Sequence, residues 1–207
     1  MFKLFKLLKK YFDNISIDLI YGIPEMSNER WQKNIEIALE LGLPHFSCYA
    51  LTIEPNTALK KMIEKGKIMP VDDDAASAHF EILTTTLNAH GYIQYEFSNY
   101  GKEGYFSRNN TAYWFGKLYL GIGPSAHSFD GSRRKWNVSN NTKYIKSLEK
   151  GDLPFEEEVL SEADRYNEYV MTRLRTMWGI DLAEVEEMFG SKFNKHLLAE
   201  EIGRAVV

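Results

Sequence analysis

The segment Ile15-Ser16-Ile17-Asp18-Leu19-Ile20-Tyr21-Gly22-Ile23-Pro24 constrains this chain more than any other. It reads as a short buried strand that ends in a Gly/Pro turn. Side chains alternate along a strand, so Ile15, Ile17 and Leu19 fall on one face and Ser16, Asp18 and Ile20 on the other. A carboxylate on the inner face of a buried strand is costly unless something pairs with it. In strand–turn–helix repeats, ligands sit at the C-terminal ends of the strands. Asp18 is therefore a candidate ligand contact; the competing reading is an acid paired only for stability.

Helical and strand patterns alternate downstream. Ser27 is an N-cap candidate for a helix over 28–41, with Trp31, Ile35, Ala38 and Leu39 at core spacing. A second strand follows over 45–51. Next come the loop 52–57, a short helix over 58–65, and a long helix from the Asp72-Asp73-Asp74 run to His90, the acids suiting its positive N-terminal end. A third strand covers 92–97. This order predicts an α/β fold with parallel strands. Three strands cannot close a barrel. The Lys-rich start, residues 1–12, reads as an amphipathic helix; it has no continuous apolar run or small-residue cleavage site of a targeting signal. A helix ahead of the first strand suggests the back part of a larger α/β unit.

Residues 99–138 are rich in Gly, Asn, Ser and aromatics, with little helical periodicity. From 141 onward the pattern is mainly helical, with helices over 142–150, 161–178, 181–189 and from about 192. Two domains are expected, 1–138 and 139–207. A net charge of −4 argues against generic nucleic-acid binding. No apolar run reaches the length of a membrane span. The one cysteine, Cys48, excludes an internal disulfide and a Cys-built metal site, and reads as a small core residue. A reducing, cytoplasmic setting fits.

Four segments are more specific together than singly: D-L-I-Y-G-I-P (18–24), Y-A-L-T-I-E-P-N-T (49–57), R-N-N-T-A-Y-W (108–114) and Y-L-G-I-G-P-S-A-H-S (119–128). In this order and spacing the chain resembles the oxygen-independent coproporphyrinogen III oxidase-like radical SAM family, in its heme-chaperone (HemW-type) branch. The resemblance implies the back part of a (β/α)6 radical SAM barrel, TIM-like, followed by a mainly helical C-terminal domain. It implies S-adenosylmethionine and a [4Fe–4S] cluster in the intact protein, and heme or porphyrin as a partner. Asp18 would contact S-adenosylmethionine, with Thr52 and His127 as further cofactor contacts. Asn110, Tyr113 and Trp114 would handle heme; an aromatic packing pair is the plainer reading of the last two.

Two departures bear on function. The cluster-binding C-x-x-x-C-x-x-C motif of the family's front half has no counterpart, and one cysteine cannot replace three thiolates. Asn109 stands at the His position of the branch's H-N-x-x-Y-W motif, and an amide is no substitute for imidazole on iron. Such a chain is expected to be a fragment with no radical activity by itself. It would associate with the missing barrel half, or with itself, through the open edge of its first strand. The alternatives are a non-catalytic heme-binding module and an unrelated α/β piece. Glu96 is a second inward-acid candidate or a solvated strand end. Arg133-Arg134-Lys135 could meet porphyrin propionates or be a solvated loop run. His45, His79, His90 and His196 show no metal-ligand spacing.

Overall fold

The helix α2 (Asn28–Leu39) starts where Ser27 accepts a hydrogen bond from the Arg30 amide. Its apolar positions bury Trp31, Ile35 and Ala38. The long helix α4 (Asp73–Ala89) starts at Asp72, whose carboxylate accepts from the Asp74 and Ala75 amides. It buries His79, Leu83 and Leu87. Both helices pack on one face of the strands β1 (Ser16–Tyr21) and β2 (His45–Ala50). Tyr21, Phe46, Cys48 and Tyr100 complete that core, with Ile17 and Leu19 partly buried against it. Ile17 and Leu19 share this face, the parity expected for an alternating strand. Cys48 is a buried core residue, and burial pushes its thiol up to about 12.

The computed structural model describes residues 2–199, the side chains of Phe2 and Lys6 excepted. The terminal segment 200–207 lies outside the described residues. The chain divides into two compact units, Met1–Ser107 and Arg108–Val207. The first also holds α1 (Phe2–Leu8), α3 (Ala58–Glu64), β3 (Ile93–Gln94) and β4 (Asn99–Gly101). Its four-stranded sheet has the order β1-β2-β4-β3, with β1 at an edge. The β1–β2 pair is parallel, Asp18 opposite Ser47 and Ile20 opposite Tyr49.

The third expected strand is different. Residues 92–97 do not form one parallel strand. A tight turn through Glu96 reverses the chain, and β4 runs antiparallel to both β2 and β3. The turn is held by the Ser98 amide and the Asn99 side chain, both donating to the Glu96 carboxylate. The sheet is therefore mixed.

The second unit begins upstream of the domain boundary read at 138. Its strands explain why. The strands β5 (His127–Phe129) and β6 (Arg133–Asn137) pair antiparallel, and β6 pairs with β7 (Phe155–Val159). The Gly- and aromatic-rich stretch thus shares a sheet with residues well past 138. It also contains a helix, α5 (Arg108–Trp114), where no helix was expected. The strand β7 lies between the expected helices over 142–150 and 161–178, in a stretch given no element from sequence. The remaining helices are α6 (Asn141–Leu148), α7 (Glu162–Arg173), α8 (Leu182–Phe189) and α9 (Ser191–Ala199). A capping box between Ser161 and Asp164 opens α7. Tyr166, Tyr169, Ile180, Val185, Phe189 and Leu197 form the core of this unit.

The face assignment predicts a sharp contrast. Leu83→Ala, in the fully buried layer, should cost about 2–5 kcal/mol. Ile20→Ala, on the opposite sheet face and 49% exposed, should stay within about 0.5 kcal/mol. Urea unfolding followed by tryptophan fluorescence distinguishes the two.

Candidate functional site

The sheet face opposite α2 and α4 is polar where the core face is apolar. Ser16, Asp18 and Ile20 of β1 lie there beside His45, Ser47 and Tyr49 of β2. Asn99 and Gly101 of β4 continue the row. Asp18 is exposed, and among the described residues it makes no hydrogen bond or ion pair. The buried, partner-demanding acid expected from sequence is thus corrected: its parity holds, but this unit leaves it open to solvent. The desolvation argument for a partner does not apply within this unit.

The buried acid is Glu96 instead, 3% exposed. Asn99 donates its amide to Glu96 and accepts the Ser47 hydroxyl at 2.7 Å. Ser47 is the register partner of Asp18. A second chain of bonds starts at Ser16. Its Oγ lies 2.7 Å from His45 Nδ1, and His45 Nε2 lies 2.8 Å from the Tyr95 hydroxyl. Tyr95 in turn accepts from the Ser107 amide at 3.1 Å. His45, given no role from sequence, is therefore buried inside the polar face. Sequence parity does place His45 and Ser47 on the Asp18 side, and that was the available signal. Burial pushes the His45 imidazole below its ordinary value, partly opposed by the nearby Asp18 charge.

The turn after β1 is held from behind. Gly22 sits at φ +70°, a conformation glycine adopts without strain. Its amide donates to His79 Nδ1 at 3.2 Å, and a Cβ there would press on the Ala76 methyl. The indole of Trp31 donates to the His79 carbonyl at 2.9 Å. His79, given no role from sequence, is fully buried, and burial lowers its pKa, opposed by the Met26 backbone. Thr52 lies just past β2, exposed, and its side chain makes no hydrogen bond among the described residues.

The other predicted residues lie in the second unit. Tyr113 and Trp114 end α5. They do not stack as a pair; Tyr113 meets Tyr119 edge-on, centroids 4.8 Å apart. Both line a cavity of about 280 Å³ with Phe115, Tyr119, Phe129 and Phe189. Asn110 is half-buried one turn earlier. His127 is exposed on β5 and lies over Trp136, centroids 6.2 Å apart. The backbone of His127 passes so close to Gly121 that a Cβ on Gly121 would collide with it. The structure thus gathers Tyr113 and Trp114 at one cavity, and sets Asp18 and Thr52 in the other unit.

The basic run is neither a loop nor free. It forms β6, opposite the acids of β7. Arg133 and Lys135 pair with Glu157 at 3.6 and 3.5 Å, and Arg134 donates to both oxygens of Glu168 at 2.8 Å. Among the described residues, no group of three or more His, Cys, Asp or Glu could hold a metal ion. No described helix is long and apolar enough to cross a membrane.

Comparison with known proteins gives a consistent set of relatives. A family model described as the HemN C-terminal domain matches residues 160–205. The heme chaperone HemW of Mycobacterium tuberculosis (strain H37Rv) is 34% identical over 177 residues, covering 84% of this chain and 45% of the relative. HemW of Bacillus subtilis is 32% identical over 181 residues, covering 86% and 48%. Among solved structures, the Escherichia coli coproporphyrinogen III oxidase HemN, described as a radical SAM enzyme, superposes with a TM-score of 0.78. It is 18% identical, and the match covers 95% of this chain and 48% of that one. The chain spans about half the length of the curated relatives it matches.

The two buried histidines make stability depend on pH. Both imidazoles are harder to protonate in the fold than in the unfolded chain, where histidine titrates near about 6.5. Their contribution is therefore full above that pH and is lost as the pH falls through the lower folded values. The urea midpoint should drop between about pH 7.5 and about pH 5.5, and drop less in His45→Gln.

Proposed function

The chain is related over most of its length to the C-terminal part of the HemW/HemN radical SAM family, and on that premise we propose that it supplies part of a heme- or porphyrin-handling protein. In this reading the first unit is the back part of a (β/α)6 barrel, and the face opposite α2 and α4 is its lumen. Asp18 contacts S-adenosylmethionine there. The observation that carries this is the exposed, unpaired carboxylate of Asp18 on the polar sheet face. The cofactor presents an ammonium, a sulfonium and ribose hydroxyls, and a carboxylate accepts from the first and the last. Thr52, exposed just past the C-terminal end of β2, borders the same mouth.

The iron–sulfur cluster does not fit this chain. Its ligands are thiolates, and the one cysteine is buried with its ionisation suppressed. No radical step is assigned to these residues. Bound S-adenosylmethionine would be the source of radical chemistry in a protein that also holds the cluster; Asp18 would orient it. The heme-chaperone reading rests on the greater identity to HemW than to HemN. Asn110, Tyr113, Trp114 and His127 are the heme-facing residues in this reading. Asn109 offers iron no imidazole, so His127, whose exposed ring makes no hydrogen bond among the described residues, is the iron-ligand candidate.

The single cysteine favours a second reading, a heme- or porphyrin-binding module without catalysis. One experiment separates the two. The chain is combined with the part of a HemW relative that has no counterpart in it, and the mixture is reconstituted anaerobically with iron and sulfide. The first reading expects 5′-deoxyadenosine on reduction with dithionite. It also expects Asp18→Asn to weaken S-adenosylmethionine binding by about ten- to a hundred-fold, the worth of a charged hydrogen bond. Binding unaffected by Asp18→Asn would remove Asp18 from the site. Hemin binding with no cleavage in any mixture would leave the second reading.

A further inference from the structure

The cavity in the second unit has an unbalanced charge. One face of α7 lines it, through Arg165, Glu168, Tyr169 and Thr172. These positions lie three and four residues apart and therefore share a side of the helix. Three arginines and two glutamates line the cavity in all. Two of the arginines are committed. Arg134 is held by Glu168, and Arg173 by Glu184 at 2.6 Å, with the Tyr169 hydroxyl on the same Glu184 oxygen at 2.7 Å. Arg165 is exposed and has no hydrogen-bond or ion-pair partner for its side chain among the described residues. The guanidinium left over stands beside walls made of Trp114, Tyr119, Phe129 and Phe189.

Aromatic walls accept a flat ring, and an unpaired guanidinium accepts a carboxylate through paired N–H groups. The volume of about 280 Å³ is at the small end for a ligand site. A macrocycle would enter by one edge. We infer that this cavity takes the carboxylate-bearing edge of a planar tetrapyrrole, and that Arg165 is the residue that receives the carboxylate. The inference rests on the heme or porphyrin reading above and assigns that ligand an anchor. Arg133 and Lys135, the sequence's candidates for that role, are held by Glu157.

The test titrates protoporphyrin IX and its dimethyl ester into the full chain, read by the shift of the Soret band. Circular dichroism checks that each variant is folded; Arg165 is exposed, so its replacement leaves the core intact. Arg165→Gln should bind the free acid about ten-fold more weakly than the parent, and Arg165→Lys should fall between them. The ester should bind parent and Arg165→Gln alike. Arg133→Gln should match the parent. If the free acid binds Arg165→Gln as tightly as the parent, the anchor is wrong and the porphyrin reading survives. If neither protoporphyrin nor hemin binds the parent, the porphyrin reading itself falls, and the anchor with it.

Discussion

Burial of one face of the β1–β2 pair under α2 and α4 sets the character of the first unit. Trp31, Ile35, Leu83 and Leu87 reach that face with almost no exposure, and such burial is worth about 1.5–3 kcal/mol for each large apolar side chain. Strand alternation then leaves the other face to whatever residues remain. Here those are Ser16, Asp18, His45, Ser47 and Asn99. A polar row of this kind adds little to a core. It is tolerated because most of its members satisfy one another, through Ser16–His45–Tyr95 and Ser47–Asn99–Glu96. Asp18 stands outside both chains, and this is why it is the residue with chemistry to spare.

The second unit solves a different problem. Its small sheet has charged residues on both strands of the β6–β7 pair, and cross-strand pairing organises them. These exposed ion pairs contribute modestly, on the order of 0–1 kcal/mol each. Their larger effect is on register. Sliding β7 by one residue would turn Glu156 and Glu158 to the opposite face and break the pattern against β6. Arg173 is a stronger case, being nearly buried, bonded to Glu184 and lying over the rings of Phe115 and Tyr169.

Local signals made much of the fold legible. The caps at Ser27 and Asp72 and the apolar spacing of α2 and α4 depend on neighbours within a few residues. The parity of β1 was equally plain. What escaped depends on distant partners. Phe155-Glu156-Glu157-Glu158-Val159 has no alternating apolar pattern of its own, and its strand is defined by Arg133-Arg134-Lys135 lying across from it. The reversal at Glu96 requires Asn99 to close the turn. The Arg-Asn-Asn-Thr start of α5 carries no apolar period at all. At the sites, residue types with known chemistry were visible. Their partners were not, so His45 and His79 seemed idle and Arg133 and Arg134 seemed available.

Cys48 sits among Phe46, Tyr100 and Trp31 in the helix-covered layer, with its thiolate form strongly disfavoured. It is therefore a poor target for alkylating reagents while the fold is intact. A cysteine introduced at Ile20 or Tyr49, both open to solvent, would be the reactive thiol, and a spectroscopic label could be placed on the polar sheet face without first removing the native one.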